Sequence, residues 1–193
     1  MSACRLPLMA VLALAFAGCS WGTSTREEFA REHPLASSAV FEPTVLASAL
    51  GDLKKQVGSA NPRVKSVSLW RTYVTLYAAQ DPRKPTHFDD YNWSDGTLSK
   101  PSPNTLHANG VAGLQAELFN LSEAPLTDVR PFVKTAFASV NVEDGVVTRV
   151  DVRRGWSTEV KPSPLVITVS ITGPRGSASV ELDAAGKVLK VNG

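Results

Sequence analysis

The chain has little sulfur, little histidine and, beyond its first residues, no long apolar run. Two of its 193 residues are cysteine, Cys4 and Cys19. Both sit at the very start, so no disulfide framework can staple the rest, and the fold must rest on its own core. The three histidines are His33, His87 and His107, and none is spaced as a helical metal pair. His87-Phe88-Asp89-Asp90 places two donors, His87 and Asp89, on one strand face, whereas zinc takes three or four. That segment reads as a solvated edge strand, and no metal or cofactor is expected. A Gly-x-Ser-x-Gly elbow is missing, and Gly155 and Gly173–Gly176 are turn glycines rather than a phosphate cradle. Glu117, Glu123, Asp128, Glu143 and Asp144 fall at connectors and turns, where carboxylates cap or meet water. No catalytic constellation emerges, and an enzyme is not expected. Lys and Arg total 20 against 18 acids, a net charge of +2 without a basic cluster, which argues against nucleic acid as a partner. No later segment approaches the 18 or more apolar residues of a membrane-spanning helix.

What is present begins with an address. Arg5 precedes the apolar run Leu6–Phe16, followed by Ala17-Gly18-Cys19 and polar Ser20. A basic start, a short apolar stretch and small residues before the cut are the parts of an export signal, and the stretch is too short to cross a bilayer. The segment resembles a bacterial lipoprotein signal. That resemblance implies cleavage before Cys19, a lipid on the Cys19 sulfur, and a location at the cell envelope, facing the periplasm from the outer membrane if two membranes are present. An ordinary secretory signal cut near Ala17 is the other reading. With residues 1–18 removed, the chain loses Arg5 alone among its charges and stays close to neutral. Residues 19–38 then form the lipidated cysteine and a polar tether, through which the membrane is the first expected partner.

Periodicity organises the remainder as α+β. Pro43 suits a first helical position, and Val45, Leu46, Ala49, Leu50, Leu53 and Val57 form one helical stripe that Gly58 ends. Val64–Arg71, Tyr73–Ala79 and His87–Trp93 are rich in β-branched and aromatic residues, with a turn over Asp81–Pro85. Asp95-Gly96 predicts a hairpin into Thr97–Ser99. Asn104–Leu121 reads as a connector packed on the sheet. The order then recurs. Thr127 is the expected N-cap, and Val129, Phe132, Val133, Ala136 and Phe137 make a second stripe. Val146–Arg153 and Leu165–Thr172 alternate cleanly, Ala178–Leu182 continues after a turn, and Asp183–Gly186 leads into Val188–Val191. Residues 39–103 are thus a first unit of helix plus antiparallel meander, 104–125 a connector, and 126–193 a second unit. Val64-Lys65-Ser66-Val67 lines up with Val147-Thr148-Arg149-Val150.

A helix followed by a meander, once per half and with Asp/Gly hairpins, is similar to the PepSY-like family and to the tandem modules of β-lactamase inhibitory proteins. The resemblance implies a helix on one sheet face and a second face able to bind a partner, often a protein. The aromatics follow this lead. Tyr73 and Tyr77 share one strand face, as do Tyr91 and Trp93. If the two faces coincide away from the helix, they form a patch of the residues that carry interfaces. The competing reading packs them under Leu106–Leu121 as core, the commoner fate of large aromatics. Trp156, in the loop Gly155–Pro164, is a further contact candidate. The expected function is a non-catalytic protein- or peptide-binding module of the envelope, with another envelope protein as partner. A carrier of a lipid or hydrophobic ligand, with an apolar cavity, is the alternative, and an enzyme of unassigned class is the third.

Overall fold

The computed structural model describes residues 39–81, 83–105, 111–155 and 161–193. The proposed signal, Cys19 and the tether lie outside them, as does Trp156. A 3-10 turn, Ala39–Phe41, buries Val40 and Phe41 and leads into helix α1, Pro43–Val57. The stripe read from the sequence is its inner face, with Leu46, Ala49, Leu50 and Leu53 buried. Each such leucine contributes about 1.5–3 kcal/mol on burial. Gly58 closes the helix at φ 76°, its N–H bonding to the Lys55 carbonyl at 3.1 Å. An L side chain there would be strained, which is why glycine stops the helix at this point.

The meander follows as β1 (Arg63–Trp70), β2 (Tyr73–Asp81), β3 (Lys84–Ser94) and β4 (Thr97–Leu98). Strand β3 starts three residues earlier than the alternation suggested, because Asp81 pairs directly with Lys84 across a tight turn. The connector has structure of its own: β5 (Ser102–Thr105) pairs with β3, helix α2 spans Val111–Glu117, and β6 (Phe119–Asn120) pairs with β1. Helix α3 then runs Arg130–Ala138. Its start lies beyond the expected Thr127 cap, since Asp128 accepts from the Arg130 N–H at 3.0 Å and Pro131 occupies the first turn. The second meander is β7 (Val146–Arg154), β8 (Leu165–Gly173), β9 (Gly176–Asp183) and β10 (Val188–Asn192). Gly173 allows the end of β8 to close on the turn before β7, for a Cβ there would lie 2.2 Å from the Glu143 carbonyl oxygen.

Among the described residues, all ten strands join one antiparallel sheet in the order β10-β9-β8-β7-β1-β2-β3-β4, with β5 and β6 beside it. The molecule is therefore mixed, mostly strand, with few helices. The first strand of each meander meets the other at the centre, with Ser68 opposite Asp151. Each central strand carries a register shift against its own hairpin partner, between Val64 and Ser66 in β1 and between Val147 and Arg149 in β7. Helix α1 packs on β2 and β3, and α3 packs on β8 and β9. Both cover the same face, sealing Val67, Leu69, Val74, Leu76, Val150, Val152, Ile167, Val169 and Val180 into one core.

Candidate functional site: the open face of the sheet

The face turned away from α1 and α3 is polar, as an antiparallel sheet with one solvated side should be. Strand register aligns its side chains in transverse rows. One row runs Asn92, Thr75, Ser68, Asp151, Thr168, Glu181 and Lys190 from β3 to β10, polar at every position. Within it Thr75 donates to Asn92 at 2.7 Å, and the Ser68 hydroxyl donates to Asp151 at 2.6 Å.

The next row toward the β1–β2 turn holds the aromatics. Trp70 and Tyr73 stack with centroids 5.3 Å apart at 17°. On the other side of Trp70, its cross-strand partner Arg149 sets Cζ 4.9 Å from the ring centroid. Both separations match the spacing of neighbouring strands, about 4.8 Å, so three planar groups stand as a ladder across β2, β1 and β7. Arg149 is further fixed by Asp151, whose carboxylate lies 2.5 Å from its Nε, a contact close in distance although the N–H is not aimed along it. Arg149 remains partly accessible, at 39%. The ladder is thus pre-ordered, with both faces of Trp70 occupied by protein groups. Flat stacking of a ligand on that ring has no room, whereas a partner can meet the exposed edges of all three groups.

The structure separates the four tyrosine and tryptophan residues that sequence alternation grouped together. Tyr73 and Tyr77 lie on the open face. Tyr91 and Trp93 lie on the helix side, 3% and 5% exposed, directly opposite Leu76 and Val74. The two faces do not coincide, so these four residues form no single patch, and Tyr91 and Trp93 are core. Tyr91 accepts a hydrogen bond from Gln80, and burial raises its phenol above the ordinary range. Tyr77 is itself half covered, stacking on Phe88 at 5.4 Å beside Leu114 and Leu118. The connector thus builds a small second core against this end of the open face. Burial, with Asp90 across the strand pair, raises the Tyr77 phenol. Burial likewise raises Asp90, with Asp89 adding to it and a bond from Asn104 opposing.

Trp70 and Arg149 are the residues that reading along the chain missed. Arg149 was visible only as the polar side of an alternating strand. Its partnership with Trp70 requires β1 and β7 to be neighbours, which no local signal states. Among the described residues, no three His, Cys, Asp or Glu side chains gather as a metal site, and no helix is long and apolar enough to cross a membrane.

No family model matches the chain, and no curated protein matches it. Among solved structures, the fold is similar to the crystal structure of a provisionally assigned lipoprotein, CD1622, from Clostridium difficile 630, at 16% identity and a TM-score of 0.56, over 76% of this chain and 91% of that one.

Proposed function

We propose that this chain is a lipid-anchored cell-envelope protein whose open sheet face binds another protein or peptide without catalysis. The observation that carries the reading is the Tyr73–Trp70–Arg149 ladder on a sheet face that neither α1 nor α3 covers. Tyr, Trp and Arg dominate interface energetics, and groups already stacked lose little entropy on binding. The polar rows beside the ladder resemble an interface rim, and Tyr73, Tyr77 and Trp70 are its aromatic contacts. The anchor rests on Arg5, Leu6–Phe16 and Ala17-Gly18-Cys19, with acyl chains on Cys19 and, in a cell with two membranes, an outer-membrane position facing the periplasm. The similar fold of a protein assigned as a lipoprotein supports that address. The recurring order of helix and meander, with a register shift early in each central strand, supports reading the chain as two versions of one unit.

The test is capture on immobilised chain of partners from detergent-solubilised envelope of the source cell, run beside Trp70→Ala and Arg149→Ala. One stoichiometric protein retained by the parent and lost by both variants is the expected result. Equal retention by all three overturns the open face as the site. Bound lipid in place of protein moves the function to a carrier. The anchor is tested separately: Cys19→Ser should move the protein from the membrane to the soluble fraction.

A further inference from the structure

The two ends of the sheet are finished differently. At one end β4 is two residues long, and β5 pairs with β3 through a segment carrying Pro101 and Pro103. Short strands and prolines blunt an edge against further pairing. At the other end β10 pairs with β9, and among the described residues nothing pairs with its outer side. Leu189 and Val191, at 53% and 47%, are the large hydrophobic side chains standing exposed among the described residues, and both belong to this strand. Beside it lies a cleft of about 630 Å³, lined on its apolar part by Val140, Val142, Ala178 and Val191 and flanked by the Glu143–Arg175 ion pair. Lys187 and Lys190 are exposed at the same edge. Neither forms an ion pair among the described residues, although Glu181 is the cross-strand neighbour of Lys190.

Three occupants can be weighed by elementary costs. A hydrocarbon surface would cover Leu189 and Val191, but it would leave the outward N–H and C=O groups of β10 without partners, at several kcal/mol each. A second copy would satisfy those groups, but it would bring the lysines of two strands to one seam, and like charges across a strand pair are destabilising. An extended acidic segment satisfies both the backbone and the lysines. We propose that β10 is a docking strand for an extended segment of another protein, with acidic side chains beside Lys187 and Lys190 and an apolar side chain over Val191 in the cleft. Backbone bonds would supply affinity, and the lysines and cleft would select the sequence.

The experiment pans a displayed library of random peptides, about nine residues long, against the full chain in detergent micelles. Hydrogen exchange is then measured with the most enriched synthetic peptide. Expected are peptides alternating aliphatic residues with Asp or Glu, slowed exchange confined to 188–193 and 140–143, and about tenfold weaker binding by Lys187→Glu/Lys190→Glu. Lys190→Ser, which adds no like charge beside Glu181, should weaken binding less and in the same direction. Absence of enrichment, or protection elsewhere in the chain, overturns the proposal. Concentration-dependent self-association abolished by Val191→Lys overturns it in favour of a second copy. Lysine-dependent sedimentation of the Cys19→Ser chain with phosphatidylglycerol vesicles overturns it in favour of a lipid surface.

Discussion

Leu76 and Tyr77 are consecutive residues of β2, and the sheet sends them to two different environments. Leu76 is sealed beneath α1 with Tyr91 beside it, while Tyr77 stands on the open side opposite Asp90. The helix side is a continuous apolar layer. The other side is a polar array holding one rigid stack of planar groups and, at one end, a small core made by the connector. The contrast teaches that an aromatic side chain on a half-buried strand takes its role from which face the helices choose, and its own chemistry does not announce that choice.

The sharpest break in the comparison is Trp93→Ala against Trp70→Ala. Trp93 is buried against the α1 side, and its loss should cost about 3–5 kcal/mol in chemical denaturation. Trp70→Ala, on the open side, should cost about 1 kcal/mol, the scale of its stacking and cation–π contacts. Equal costs would mean that the open face is covered.

A second, smaller effect concerns Arg154, which ties three segments at the end of β7. It donates to the Leu118 carbonyl at 3.0 Å, the Ser163 carbonyl at 2.8 Å and Glu123 at 2.9 Å. Arg154→Ala should cost about 2 kcal/mol, with faster hydrogen exchange in the connector and little change under α1. Uniformly faster exchange would refute a local clamp.

The acid partner of that clamp gives a pH signature. The Asn120 N–H, followed by Arg154, lowers the Glu123 carboxyl below its ordinary value. A folded pKa below the unfolded one gives stability that is present above the unfolded pKa, near 4.3, and is lost as pH falls through the folded value. The stability difference between the parent and Glu123→Gln should therefore shrink from about pH 5 downward, as followed by thermal melts. Smallest of all, Asp90→Asn should raise stability slightly at neutral pH. The Asp90 carboxyl is raised by burial, so its ionised form is disfavoured there, and the gain should vanish in acid.

Much of this fold is written locally. The stripe from Val45 to Val57, the stop at Gly58 and the alternation in β7 and β8 are period signals that need no tertiary knowledge. The face of each aromatic was not written locally. Asp81 pairs with Lys84, and although the register shifts between Ala79 and Asp81, Ala79 faces Phe88, so odd-numbered positions of β2 oppose even-numbered positions of β3 on both sides of the irregularity. Tyr73 and Tyr77 must then point away from Tyr91 and Trp93. A turn read only as a stretch from Asp81 to Pro85 leaves that parity open, and one residue of slip exchanges the faces. The Trp70–Arg149 contact was hidden for a different reason, since its partners sit on strands from opposite halves. The start of α3 falls beyond Thr127 because Val129 occupies the N-cap position without a side-chain cap, and Asp128, also a capping type, takes the Arg130 N–H instead.

The central β1–β7 pairing carries a kinetic consequence. Ser68 and Asp151 are 83 positions apart, whereas β1 and β2 are joined by two residues and even the longer loop between β7 and β8 closes locally. Joining the halves must meet the loop-closure entropy of the whole intervening chain before any ladder bond repays it. The meanders can therefore collapse early and meet late. In the interval each would expose a raw strand edge at what becomes the middle of the sheet, and that seam is where mispairing would start most readily.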